Sequence, residues 1–538
     1  MGGIQTMNVN KTWFYYGNGI DSFGKQGLWE EREIPRIKEN EVLARVDAVA
    51  ICASDVKMIK MSNEYPLFRN RDFKTNPAVL GHELSLTIIE VGENLKKNWK
   101  PGMRIGVQPD VYMDSIRYCI GVTVDGGMQK YMVLQESVFN SDYGVTVFPV
   151  TNNLSYAEVS LLEPNACIEA AYRPFSRTQF SEEANLVVYL DDDIEKYDLD
   201  LSINHKSKHL VKNFIELKEI KDPFQDVLII GNPKEEIIEY IIQHLDVNSV
   251  FCWLAKEETD IEISCDIAKI HYDKIFFTGT CSKKLSDAFS YPTDRFSLKK
   301  NGNLLIVGGA GAMGRMHTLR AIMDPDGPNI IAVTARGETR IHHLIQSFEE
   351  IAKKKNKQLI GVATKQEGWE EKLRSIAPNG FDDVVVCAPG VDPVDEGKKF
   401  LNPCGKLVLF SGTKYGTYTK FPIGWIPSFG LKLNASSGSS VDDEKEVLAK
   451  IEKGIVDPNK NVAAIAGFNA VKKALKAVSE GLYPGKVILY PQLDNLPLIG
   501  ITKLDEISDE LYNYVEKNGW NHQAEKLMFE HYLGKEDL

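Results

Sequence analysis

The sequence predicts an α/β protein: a β-rich amino-terminal unit, then a doubly wound parallel sheet, with a small α/β module inserted between them. Three observations carry this prediction. From Thr12 to Val150 short β-rich runs are broken by Gly and Pro. The apolar run Asn303 to Val307 leads into a glycine loop, Gly308 to Gly314, and a helical pattern to about Ile322. Residues 181 to 295 differ from both in composition and alternate strand with helix.

In the amino-terminal unit Glu41 to Ala50 alternates as a strand, Leu86 to Val91 follows Gly81-His82-Glu83, and Met103 to Val107 follows Pro101-Gly102. Ser155 to Tyr172 then has helical spacing with Glu163 at its centre, so a carboxylate is placed on an otherwise apolar helix and needs a partner. Pro164 predicts a local break that aims the Glu163 side chain. A Glu satisfied by backbone or by Arg is the plainer alternative.

Residues 181 to 295 hold 24 Asp and Glu against 13 Lys and Arg, a net charge of −11 out of −12 for the whole chain. Strands at Asn185 to Leu190, Val227 to Gly231, Val250 to Leu254 and Ile275 to Gly279, with a helix from Pro233 to Leu245, describe the inserted module. Its turn Gly231-Asn232-Pro233 lacks a glycine triplet, so no nucleotide is assigned to it. Its role is left open between interaction, oligomerisation and plain insertion. The acidity excludes nucleic acid as the expected partner.

After the glycine loop comes the strand Ile330 to Ala335, completing a β-turn-α-β unit. Gly309, Gly311 and Gly314 match the dinucleotide fingerprint: the first for the tight turn, the second for pyrophosphate approach, the third for helix–strand packing. Ala312 and Met313 open the helix behind them and join the expected cofactor site. Asp383 to Cys387 and Leu407 to Phe410 continue the parallel sheet. The second strand ends Val333-Thr334-Ala335-Arg336, without the acid that would hold a ribose 2′-hydroxyl. Arg336 and Arg340 can bracket a 2′-phosphate, which favours NADP(H) over NAD(H); two surface charges opening the next helix are the alternative.

Cys52, His82 and Glu163, with Glu83 beside His82, supply the thiolate, imidazole and carboxylate of a catalytic zinc with an open position. The eight cysteines show no paired spacing, which fits a reducing compartment and gives no four-cysteine structural site. No run of about 18 apolar residues offers a membrane span, and Met1 to Asn10 lack a secretory pattern, so a cytoplasmic protein is expected. Gly2 and Thr6 fit a myristoylation pattern without a polybasic partner signal and are read as chance, with Met7 a candidate natural start. The tail Leu504 to Leu538 reads as amphipathic helices packed on the catalytic unit, without a catalytic role.

Cys52-Ala53-Ser54-Asp55, Gly81-His82-Glu83, the glycine fingerprint and Gly485-Lys486-Val487 together resemble the zinc-dependent medium-chain dehydrogenase/reductase family. Glu163-Pro164 in place of a second cysteine is similar to the polyol dehydrogenase branch. Lys57, the missing structural-zinc cysteines and the segment Phe381 to Ser440 resemble L-sorbose-1-phosphate reductases. The resemblance implies a GroES-like β-barrel catalytic domain split by a Rossmann domain, with the active site in the cleft. The expected boundaries are residues 1–180, 181–295 for the insertion, 296–440 for the Rossmann domain, and 441–538 for the return and tail.

It further implies Cys52 and His82 as zinc ligands, with Glu163 and Glu83 as the third ligand and its alternate or supporting neighbour. Ser54 is the implied proton-passing hydroxyl and Asp55 the brace, while Lys57 finishes a proton path, meets a substrate phosphate or is simply solvated. The expected activity interconverts a ketone and a secondary alcohol on a ketose, polyol or sugar phosphate, with a dimer or tetramer as the expected assembly. The alternatives are an alcohol or amino-alcohol dehydrogenase, or a catalytically silent nucleotide-binding assembly protein.

Overall fold

The computed structural model describes residues 9–174, 177–199, 203–290, 297–436 and 438–534; Gly2, Thr6 and Met7 lie outside them. The chain forms two compact units, residues 1–166 with 439–538, and residues 167–438.

An eight-stranded sheet organises the first unit. It runs Ile499–Gly500, Val462–Gly467, Lys486–Tyr490, Val42–Ala50, Glu83–Val91, Arg104–Val107 and Val147–Pro149, with Tyr131–Leu134 also paired to Val42–Ala50. Every pairing is antiparallel except that of Val462–Gly467 with Lys486–Tyr490. A parallel pair needs a crossover, and the helix Val471–Glu480 supplies it. The carboxy-terminal return enters the amino-terminal sheet through Ile488 opposite Ala50 and Leu489 opposite Val49. Beneath it, Trp13, Tyr15, Phe23 and Phe68 fill a core with Val42, Leu84 and Leu86. Each such side chain contributes on the order of 1.5–3 kcal/mol by leaving water.

Two local differences from the sequence reading bear on the site. The β-rich unit contains the helix Ala53–Met61, started by a capping box in which Asp55 accepts from the Cys52 amide. The expected helix Ser155 to Tyr172 is two, Tyr156–Ser160 and Leu162–Ala171, and the break falls at Leu161 rather than Pro164. Pro164 sits in the first turn of the second helix, where an amide donor has no intrahelical partner to lose.

In the second unit the strands Asn303–Val307, Ile330–Ala335, Gln358–Ala363, Phe381–Val386, Leu401–Leu409 and Lys432–Ala435 form an all-parallel sheet in the order 3-2-1-4-5-6 along the chain. This is the doubly wound dinucleotide-binding order. A second all-parallel sheet uses Asn185–Leu190, Ser207–Val211, Phe224–Ile230, Leu245–Leu254 and Phe276–Thr280 in the order 2-1-3-4-5. The two sheets are not independent. Val187, Phe251 and Phe277 of one share an apolar core with Leu305, Phe381 and Leu407 of the other, and Ile263–Asp266 pairs antiparallel with Tyr418–Phe421.

No helix among the described residues is long and apolar enough to cross a membrane. Removing the fully buried Phe381 ring, Phe381→Ala, is expected to cost about 3–5 kcal/mol. Because the core is shared, hydrogen exchange should show amides of Asn185–Leu190 and Asn303–Val307 losing protection together; loss confined to one sheet refutes the common core.

Candidate active site

Two chain turns place the candidate ligands. The strand Val42–Ala50 ends just before Cys52, which is the N-cap of Ala53–Met61 and therefore held in extended backbone at the helix start. Gly81 adopts φ +95°, a left-handed turn that a side chain would strain, and a Cβ there would also press on Val49 at 3.0 Å. That turn delivers His82 and Glu83 at the start of the strand Glu83–Val91. The result is a thiol, an imidazole and a carboxylate, Cys52, His82 and Glu83, whose ligand atoms lie within 4.8 Å of one another.

Asp55 stands behind this group. It is fully buried, its Oδ2 accepts from the Cys52 amide at 3.0 Å, and its Oδ1 accepts from the Gly81 amide at 3.3 Å. The same Oδ1 lies 3.2 Å from His82 Nδ1. A carboxylate against one ring nitrogen fixes the ring and turns the other toward a metal. Burial alone would lower the His82 pKa, but the Asp55 charge, then Cys52, hold it well above the ordinary histidine value. Ser54 Oγ is 3.2 Å from His82 Nε2, and Lys57 is exposed one turn further along the same helix.

Glu83 is already engaged. Lys486 Nζ donates to both its carboxylate oxygens, at 2.5 and 2.7 Å, and both side chains are buried. Burial works against the lysine charge, yet Glu83, then Cys52, keep Lys486 above its usual value, with Glu163 adding to the same effect. Glu163 lies in the first turn of Leu162–Ala171, half-buried and outside the 4.8 Å group. A soft thiolate, an imidazole braced by a carboxylate and a nearby glutamate suit zinc, so the residues present fit that ion. Of the two expected carboxylates, Glu83 converges with Cys52 and His82 but is tied to Lys486, and Glu163 stands outside that group.

The sequence reading gave no role to Lys486 or Glu444. Lys486 carried a signal, since a lysine opening an apolar strand must meet a counter-charge if it is buried. Glu444, on the helix Val441–Glu452, is fully buried with neither carboxylate oxygen hydrogen-bonded. Burial, then the nearby Glu163, push its carboxyl well above the usual range. Nothing in its helical neighbourhood distinguishes it from a surface Glu.

The glycine loop belongs to the second unit and joins Asn303–Val307 to the helix Ala312–Met323. The left-handed position is Gly308, at φ +72°, rather than Gly309. Gly309 is instead required by space, since a Cβ would fall 2.4 Å from Val333 Cγ1, and a Cβ on Gly314 would strike Gly309 Cα at 2.3 Å. At Gly311 a Cβ would meet nothing closer than 3.7 Å, so the backbone there is open to an approaching group. The free amides opening the helix, Ala312 and Met313 among them, favour an anion such as a pyrophosphate. Arg336 and Arg340 are exposed at the strand end and in the following helix Glu338–Lys354.

Residues 38–141 match the alcohol dehydrogenase GroES-like domain family. The chain is 24% identical over 514 residues to the uncharacterized protein YggP of Escherichia coli K12, covering 92% of each chain. It is 21% identical over 524 residues to an L-sorbose 1-phosphate reductase of Klebsiella pneumoniae, covering 95% of this chain and 96% of that one. In fold it is similar to the crystal structure of an alcohol dehydrogenase from Thermotoga maritima, with a TM-score of 0.54 and 13% identity, covering 90% of this chain and 99% of the other. The matches support an oxidoreductase of the alcohol/polyol dehydrogenase type, and the solved structure shows the likeness of fold. They support its place in the medium-chain dehydrogenase/reductase superfamily.

Cys52→Ser or His82→Ala should each abolish stoichiometric zinc binding by metal analysis of purified protein; full zinc occupancy in both would remove the proposed ligand set. In a metal titration Glu163→Gln should weaken zinc more than Glu83→Gln does. The reverse order would make Glu83 the ligand. Lys486→Met should destabilise the fold by about 3–5 kcal/mol in chemical denaturation, because it strands a buried carboxylate.

Proposed function

We propose that the chain is a zinc-dependent NAD(P)(H) oxidoreductase that interconverts a ketone and a secondary alcohol on a ketose, polyol or sugar phosphate, with NADP(H) favoured. The observation that carries this reading is the convergence of Cys52, His82 and Glu83 within 4.8 Å, with Asp55 behind the imidazole and Ser54 beside it. Cys52, His82 and Glu163 would hold the zinc, and Glu83 is its supporting or alternate carboxylate.

When bound, zinc supplies Lewis-acid polarisation of a carbonyl and the nicotinamide supplies the hydride. The chain's own groups do the rest. Asp55 holds the His82 ring and the Cys52 backbone in one geometry, so little reorganisation is needed as charge develops on the substrate oxygen. Ser54 Oγ, adjacent to His82 Nε2, is positioned to give that oxygen a proton in reduction and take it back in oxidation. Lys486 balances the Glu83 charge and keeps that carboxylate in place. Lys57, exposed one turn beyond Ser54, is available to a substrate phosphate. The full-length similarity to a sorbose-phosphate reductase favours phosphorylated ketoses among the substrates.

Zinc-loaded protein should oxidise NADPH in the presence of ketose phosphates and lose that activity on chelation; turnover undiminished by complete zinc removal would sink the reading. Arg336→Ala should raise the KM for NADPH about tenfold, the loss of roughly one charged contact, and leave that for NADH nearly unchanged. Equal effects on both would remove the 2′-phosphate role.

A further inference from the structure

Far from the glycine loop in sequence, the carboxy-terminal tail buries a carboxylate inside the first unit. Glu525, on the helix His522–Leu533, is 1% exposed. Its Oε2 accepts from the Tyr156 amide at 2.6 Å, and its Oε1 accepts from the Ala157 amide at 2.8 Å and from Tyr490 Oη at 2.7 Å. Tyr490 Oη in turn accepts from Trp520 Nε1 at 3.1 Å, so the preceding tail segment joins the same contact.

These bonds complete the start of the helix Tyr156–Ser160. Ser155 Oγ takes the Glu158 amide and Glu158 returns to the Ser155 amide, which leaves the amides of Tyr156 and Ala157 without a local acceptor. Glu525 provides it from more than 360 residues away. Leu161 links this helix to the next, donating to Ala157 and Glu158 carbonyls and accepting from the Asn165 amide. Glu163 is in that next helix, so the angle at which the first helix starts is passed to it. Tyr490 leads to the other side of the site. It ends the strand that begins with Lys486, the partner of Glu83, and in the same strand the Val487 carbonyl accepts from the Ile51 amide beside Cys52.

We propose that Glu525 is a positioning residue for the candidate metal centre: its one carboxylate clamps the helix start that leads to Glu163 and the strand that carries Lys486, and so sets the two against each other. This rests on the zinc reading above. Burial, partly offset by the two amides and Tyr490, pushes the Glu525 carboxyl up to about 7, with Arg104 a weaker influence in the opposite direction to burial. A carboxyl that binds its proton more tightly when folded gives stability that is fully present below about pH 4.3 and falls as pH rises to about 7. The groups facing it are Tyr156, Tyr490 and Arg104.

The test is zinc affinity of the full-length protein by chelator competition, for wild type, Glu525→Gln and Tyr490→Phe, with thermal melts and NADPH binding as controls on folding. Glu525→Gln places an amide donor against backbone donors and should weaken zinc about tenfold while NADPH binding is retained. Tyr490→Phe removes only one of the three bonds and should weaken it about threefold, which keeps the test available if Glu525→Gln fails to fold. The melting advantage of wild type over Glu525→Gln should shrink between pH 5 and about 7. Wild-type zinc affinity in folded Glu525→Gln, or in Tyr490→Phe where the other does not fold, overturns the positioning role and leaves the zinc reading standing. A wild-type protein that binds no zinc overturns the zinc reading and this role with it.

Discussion

The buried ion pair between Glu83 and Lys486 is the constraint on which the first unit depends. The two residues are 403 positions apart, and their contact closes the carboxy-terminal return onto the amino-terminal sheet beside the candidate ligands. A pair of this kind adds little net stability over apolar residues of similar size, because both charges must leave water. Its effect is discrimination. A strand register shifted by one residue would turn Lys486 to the opposite face and leave two charges buried without partners. The pairing of Ile488 with Ala50 is therefore tied to the geometry around Cys52 by an electrostatic penalty as well as by packing.

What the sequence made legible was local. Strands of the second unit are bounded by turn residues and filled with Val, Ile and Leu, and the expected Ile330 to Ala335 is the strand observed. The doubly wound sheet followed from the glycine loop, a turn that needs glycine where Gly309 meets Val333 and Gly314 meets Gly309. Cys52, His82 and Glu83 could be picked out by residue type and order, a thiol, an imidazole and a carboxylate, while the helix Ala53–Met61 that positions Cys52 was not read. Contacts that join distant segments left no such trace. Glu525 and Glu444 look like ordinary surface charges until the fold buries them, Lys486 signals only that a buried lysine needs some counter-charge, and the helix breaks at Leu161 rather than at Pro164.

The acidic segment shows the same division between pattern and context. Its alternation of strand and helix predicted an α/β module, and its sheet has the 2-1-3-4-5 order of a second doubly wound fold. In such sheets ligands bind where the strand order reverses, here beyond Leu190 and Ile230. Asn232 instead ties that rim to itself, accepting from the Lys256 and Glu257 amides and donating to the Glu257 carbonyl. One face of the sheet is committed to a core shared with the dinucleotide-type sheet and the other to a separate apolar core. Its order is that of a binding fold, and its core contacts lie within the second unit.

The charges around Glu163 bear on the cation proposed for the first unit. Lys486 responds to Glu83, Cys52 and Glu163 together, and Glu163 also acts on the buried, unpaired Glu444. Lys486 is paired with Glu83, and His82 is held toward its charged form by Asp55, so two bases share these buried surroundings with the acidic groups. Such a cluster can hold protons, which accounts for Glu444, or it can hold a divalent ion. Protonation of every excess group would leave Cys52 and His82 converging on the same point with Asp55 bracing them and no ligand for that arrangement to hold. The proposed zinc ion would suit the convergence of Cys52, His82 and Glu83 with Asp55 behind the imidazole, and that geometry supports the metal reading more strongly than the motif spacing does.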